Sequence, residues 1–171
     1  RLSSAASDVY KRQEKTGLNL DQKSVDLLQK EKEVQVLSSL DIHEVAHLFT
    51  NPESYFFRSL SHLELIKKMS TENISIWFAG CSTGQEVYSA SLMLSSISDK
   101  TLVGTDLSRK YIEKALSGSF FVFRESEIKS LKKYEQLPQS QLHLNNNKES
   151  LDVKFSSIKK EGIAFDIHNL M

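Results

Sequence analysis

The sequence predicts an α/β domain built on a parallel sheet, with a short helical segment ahead of it. Three observations carry that reading. Ile74 to Ala79 (ISIWFA) and Thr101 to Thr105 (TLVGT) are short, β-branched runs with the character of buried parallel strands. Each is followed by a helical pattern, Gln85 to Ile97 and then a helix capped by Ser108 and running through Leu116. Strand, helix, strand and helix in alternation require crossover connections, and those place consecutive strands parallel.

The elements follow in order along the 171 residues. Residues 1 to 13 (RLSSAASDVYKRQ) start on arginine and are small, polar and without periodicity, so they are expected to be a leader foreign to the fold. Residues 14 to 50 are expected to form a small helical domain. There Val25, Leu28, Val34, Leu37, Leu40, Val45 and Leu48 recur at spacings near three and four, and Asp41 with Glu44 resembles a helix start. After Pro52, Tyr55 to Met69 is expected to be a helix with Phe56, Leu60, Leu63 and Ile66 inward and Glu53 near its positive end. The polar stretch from Leu131 to Ser150 reads as a loop-rich insertion, with Lys129 to Lys133 on a solvated helix face. Val153 to Phe155 and Ile163 to Phe165 read as further strands, the latter as the third strand of the sheet. No internal repeat is visible.

Composition narrows the function. Hydrophobic residues make up 39% and charged residues 26%, values of an ordinary globular domain. Twenty-two basic residues balance twenty-two acidic ones, so no global field draws in nucleic acid. No apolar run approaches the roughly 20 residues of a membrane helix. The single cysteine, Cys81, can form no intramolecular disulfide, and a cytoplasmic location is expected. His43 and His47 are spaced i, i+4 but lack an acidic partner motif, so a surface helical face is expected there and no metal site.

The chemistry concentrates in Ile76 to Ser89 (IWFAGCSTGQEVYS). Gly80 and Gly84 bound a tight strand-to-helix turn where backbone can approach a ligand, and the following helix offers free N–H groups to a carboxylate. Asp106 sits at the tip of the second strand, about twenty residues after Glu86, where a carboxylate can accept both hydroxyls of an adenosine ribose. Only two glycines are present, so this is not the GxGxxG fingerprint and a nicotinamide enzyme is disfavoured.

These motifs carry a resemblance. GCSTGQEVYS (Gly80 to Ser89) is similar to the GCSTGEEPYS motif of CheR-type protein-glutamate methyltransferases, and PESYFFR (Pro52 to Arg58) is similar to that family's NETYFFR or PETYFFR. GTDLS (Gly104 to Ser108) resembles its SDIS or TDIS, Ala115, Leu116 and Gly118 fit its A-x-x-G pattern, and IAFDIHNL (Ile163 to Leu170) resembles V-x-F-x-x-x-N-L. The resemblance implies a class I methyltransferase fold, Rossmann-like, over residues 51 to 171. It implies S-adenosylmethionine as cofactor, S-adenosylhomocysteine as product, and a protein substrate such as a chemoreceptor cytoplasmic domain.

Carried over residue by residue, Glu86 and Asp106 match cofactor-contacting acids, and Asn169 and Leu170 match positions beside the adenine. Ser54 matches the motif threonine, and Arg58 the arginine near the methyl-transfer site. Pro52 stands where many members carry a cofactor-contacting asparagine, leaving Asn51 as its replacement. Gln85 replaces the motif's first glutamate and Val87 its proline. Plainer roles compete: Arg58 can pair with Glu53, Phe56 is expected in the core, and Cys81 is expected to be a buried loop thiol. The family's fourth strand and C-R-N-x-L-I-Y-F motif have no counterpart here, so a partial domain is expected, with the first strand at the sheet edge. Two other functions compete with the enzyme: an inactive adenosine-binding or interaction module, and a small-molecule methyltransferase, against which PESYFFR argues.

Overall fold

The computed structural model describes residues 42–48, 50, 53–69, 72–135, 142–147, 150–155 and 161–169. Of the helical segment, only a single helical turn, α1 (Ile42–Val45), and a 3-10 turn (Ala46–Leu48) fall within them; the leader and the periodic positions from Val25 to Leu40 lie outside.

The main sheet is parallel. Strand β1 (Asn73–Ala79) pairs with β2 (Asp99–Asp106), and β2 pairs with the later strand β6 (Ile163–Ile167), giving the order β1-β2-β6. Ile163 to Phe165 thus supplies the third strand as expected. Period-two alternation sends Ile74, Ile76, Phe78, Leu102, Ile163, Phe165 and Ile167 to the face that meets the core. On the other face Ser75, Trp77 and Ala79 are exposed, and Trp77 keeps 57% of its surface. Strand β1 is therefore an edge strand among the described residues, the place expected for it in a partial domain, and it is covered on one face and not on both as its buried-strand character suggested.

Helix α3 (Gln85–Met93) follows β1 and is the centre of the packing. All its residues from Val87 to Met93 are buried, as in a helix with neighbours on every side. It is shorter than the expected Gln85 to Ile97. Leu94 leaves helical geometry, and Ser95 and Ser96 continue as a turn that returns Ile97 to the core. Helix α4 (Arg109–Ser117) follows β2. Its cap is the expected Ser108, whose side chain accepts the Tyr111 amide, and Gly118 closes it in the left-handed region.

Two expectations need correction. The helix foreseen from Tyr55 begins later, as α2 (Leu60–Met69). Phe57 sits at φ 59°, a left-handed conformation that a helix does not admit. The amides of Phe56 and Phe57 bond instead to Glu127 Oε1 (2.6 Å) and Ser89 Oγ (2.9 Å). Phe56 and Leu63 are buried as foreseen, and Leu60 and Ile66 pack against the core. The second correction concerns the insertion, which is not loop-rich where it is described. Helix α5 (Glu125–Glu135) crosses into it, with Lys129, Lys132 and Lys133 exposed. Strand β4 (Leu142–Asn147) then joins β3 (Ser119–Val122) and β5 (Ser150–Phe155) in an antiparallel sheet of order β3-β5-β4.

An aromatic cluster fastens the two sheets. Tyr88 of α3 stacks on Phe155 of β5 at 4.2 Å and meets Phe120 of β3 at 5.4 Å and Phe165 of β6 at 5.7 Å. Phe56 stands edge-on to Phe120 at 5.2 Å, so the PESYFFR segment enters the same core. Such ring pairs add roughly 0.5–1.5 kcal/mol each beyond the area they bury.

Candidate cofactor site

The site is built where β1 and β2 end. Past Ala79 the Cys81 amide still bonds to Thr105 O (2.8 Å), so the ladder runs on into the glycine loop. Ser82 then turns to φ 50°, which aims its amide at Asp106 Oδ2 (2.8 Å). The other oxygen, Oδ1, accepts the Ser108 amide (3.0 Å). One carboxylate thus pins the loop after β1 to the cap of α4. Each of its oxygens accepts one bond from the protein and keeps a second lone pair, an acceptor pair that fits the two hydroxyl donors of a ribose diol.

The two glycines turn out to serve different ends. Gly80, at φ 71°, has nothing within 4 Å of where a Cβ would stand, so that side of the loop is open. Gly84, at φ 89°, is the N-cap of α3 and is buried. A Cβ there would come within 2.8 Å of Ala115 Cβ and 3.1 Å of the Phe165 ring. Gly84 is therefore required by packing against α4 and β6, a demand the sequence did not show. Being glycine, it also leaves the start of α3 without a side-chain cap, which suits that end to an anionic group.

Glu86 lies half-buried in the first turn of α3. Ser89, one turn further, accepts the Phe57 amide, so the PESYFFR segment is docked beside Glu86. Asn169 follows His168, whose amide bonds to Asp106 O (2.9 Å). The structure thus gathers Gly80, Glu86, Asp106 and Asn169 around the ends of the three parallel strands. Asn51 and Leu170 lie outside the described residues. Ser54 is half-buried ahead of the aromatic pair. Arg58 is turned to its own segment, donating to Glu53 O, with its guanidinium 3.8 Å from Glu53 Oε2 and 5.7 Å from the Tyr55 ring centre. Among the described residues no hydrogen bond or ion pair joins Arg58 to Glu86 or Asp106.

Cys81 is a buried thiol as expected. Burial, reinforced by the nearby Asp106 charge, pushes it up to about 12, so it stays protonated and is no nucleophile at neutral pH. Glu127 and Tyr111 shape the site but gave no sequence signal, and Ser89, though it ends the GCSTGQEVYS motif, gave none of its bond to Phe57, since each acts on backbone far away in the chain. Among the described residues no cluster of metal ligands is found, and no helix is long and apolar enough to cross a membrane.

A glycine-loop strand-to-helix turn, an acid at the second strand tip and an uncapped helix end define a Rossmann-like domain suited to an adenosine cofactor. Residues 52–171 match the family described as CheR methyltransferase, SAM binding domain, and the chain belongs to that family. S-adenosylmethionine is accordingly its cofactor. A chemotaxis protein methyltransferase of Borreliella burgdorferi is 27% identical over 154 residues, covering 78% of this chain and 51% of that protein. A protein of the same description from Campylobacter jejuni is 35% identical over 82 residues, 45% of this chain and 31% of its own length. A putative methyltransferase Cher3 of Pseudomonas putida is 28% identical over 102 residues, 54% of this chain and 35% of that protein. The chain spans at most about half the length of these relatives.

Proposed function

We propose that the protein transfers a methyl group from S-adenosylmethionine to glutamate side-chain carboxylates of a protein substrate, with a chemoreceptor cytoplasmic domain as that substrate. The observation that carries this reading is the Asp106 clamp between the glycine loop and α4, with the PESYFFR segment docked one turn from Glu86. The family's cofactor and the chemotaxis methyltransferases among the relatives support it. Residues 51 to 171 then form the cofactor domain, 14 to 50 a helical domain, and the protein works in the cytoplasm.

Bound there, S-adenosylmethionine supplies a methyl group that a glutamate carboxylate, anionic at neutral pH with a reference pKa of about 4.3, takes without a general base. Asp106 would hold the ribose hydroxyls through its free lone pairs, and the uncapped α3 end would hold the amino-acid carboxylate. Gly80 leaves room beside the loop. Glu86, Ser54, Asn51, Asn169 and Leu170 would complete the cofactor contacts. Arg58, released from Glu53, would orient the substrate carboxylate by a charge-assisted pair. Alignment of this kind is worth up to about 7–11 kcal/mol in favourable cases.

The engagement of Arg58 with Glu53 favours a second reading, an adenosine-binding module without turnover, to which Pro52 and Gln85 also point. Incubation with methyl-labelled cofactor and a chemoreceptor cytoplasmic fragment separates the two. The proposed enzyme leaves base-labile label on substrate glutamates, and Arg58→Ala loses turnover while binding S-adenosylhomocysteine within a few-fold of wild type. Binding without label supports the module, and neither binding nor label overturns both.

A further inference from the structure

Three stretches distant in sequence meet at the site, and one run of hydrogen bonds connects them. The glycine loop is tied to Asp106 through the Ser82 amide, and Asp106 to Ser108 through the Ser108 amide. Ser108 Oγ accepts the Tyr111 amide at 3.4 Å. From the first turn of α4 the Tyr111 hydroxyl reaches back to the carbonyls of His47 (3.2 Å) and Thr50 (3.1 Å). Thr50 Oγ1 in turn lies 3.4 Å from that hydroxyl and 3.0 Å from Ala46 O. Tyr111 is buried, and its hydroxyl lies within hydrogen-bond distance of both carbonyls.

Parallel ties fasten the same segment to the same turn. His43 Nδ1 lies 2.8 Å from Leu107 O, and Glu44 pairs with Arg109. The residue next to Asp106 and the first turn of α4 therefore hold the chain that leads into PESYFFR. Tyr111 itself belongs to none of the motifs that resemble the family.

We propose that Tyr111 is a positioning residue for cofactor binding, its hydroxyl fixing Thr50, and with it the chain ahead of Ser54, relative to Asp106. This rests on the cofactor reading above, in which residues on both sides of the pocket contact one ligand. A ligand held from two separate stretches gains affinity when those stretches are fixed before it arrives, because less ordering remains to be done on binding. Replacing the hydroxyl leaves two partly buried carbonyls without their donor while the ring still fills its place.

The test is titration of S-adenosylhomocysteine into Tyr111→Phe, with hydrogen exchange followed in parallel. The expected result is affinity weakened about five- to tenfold, the worth of one or two lost hydrogen bonds. Exchange should quicken at residues 50, 53 and 54 and stay unchanged in β1 and β2, which shows that the fold is kept. His43→Ala, which cuts the tie to Leu107, should weaken affinity in the same direction. In a Ser54→Ala background the loss from Tyr111→Phe should shrink, since the two act on one contact region, whereas general loosening would add in full. Wild-type affinity in Tyr111→Phe, or full additivity with Ser54→Ala, overturns the proposal. Asp106→Ala that binds like wild type, or wild type that does not bind, overturns the cofactor reading along with it.

Discussion

Glu127 is 7% exposed and accepts the Phe56 amide, which makes it the anchor of the PESYFFR turn. Burial raises its pKa above the ordinary 4.5, and the Phe56 amide and the Arg124 charge offset that only in part. Between 4.5 and the raised folded value the folded chain binds more protons at this site than the unfolded chain does. Stability therefore falls as pH rises through that window, and the cost persists at neutral pH. Glu127→Gln keeps an oxygen for the Phe56 amide and removes the charge. Thermal melts should show the variant more stable than wild type at pH 7, with the gap closing toward pH 4. A variant less stable at pH 7 would mean that the ionised carboxylate is needed for the Arg124 interaction. Phe56 as a core residue was legible from its type and place. The left-handed turn at Phe57 was not, because the groups that hold it, Ser89 and Glu127, are 32 and 71 residues away.

Among the elements, the glycine loop shows how one motif can conceal two physical demands. Both glycines have positive φ, but a Cβ at Gly80 meets open space and a Cβ at Gly84 meets Ala115 and Phe165. Gly80→Ala should cost only the left-handed backbone penalty, about 1–2 kcal/mol. Gly84→Ala carries that penalty plus overpacking of about 1–3 kcal/mol, and it pushes α4 and β6 away from the loop. Denaturant unfolding of the two variants measures the difference, and equal losses would refute the separate roles. The order of strand, loop and helix here was readable because each step is local: an apolar run, a glycine pair, a Ser108 cap. The antiparallel sheet was hidden for the opposite reason. The sequence of β4, LHLNNN, ends in three asparagines, which are depleted in strands, and β3 spans only four residues. Pairing of both with β5 makes them strands, and that pairing is not local. Helix ends were misjudged where serines or a side-chain bond from elsewhere stopped a favourable pattern, as at Ser95 and Phe57.

At the scale of the molecule, one helix holds two sheets together and places the chemistry. Tyr88 on α3 joins β3, β5 and β6 through its ring, and its hydroxyl donates to Ala115 O (2.8 Å) on α4. The same helix begins at the glycine loop and carries Ser89, to which the PESYFFR segment is tied. Fold and site are therefore one construction, in which the ends of the parallel strands, the start of α3 and the aromatic segment are set relative to Asp106. The parallel order and the acid at the strand tip could be foreseen from alternation and spacing, but the links through Tyr88 and Tyr111 required the packed structure. We propose that this Asp106-centred arrangement binds the adenosine cofactor. Calorimetric titration of S-adenosylhomocysteine into the wild-type protein and Asp106→Ala tests it most directly. Wild type should form a one-to-one complex, and the variant should lose at least about a hundredfold in affinity, as expected when two charge-assisted hydrogen bonds to a ligand are removed. Equal binding by both proteins, or no binding by wild type, would contradict it.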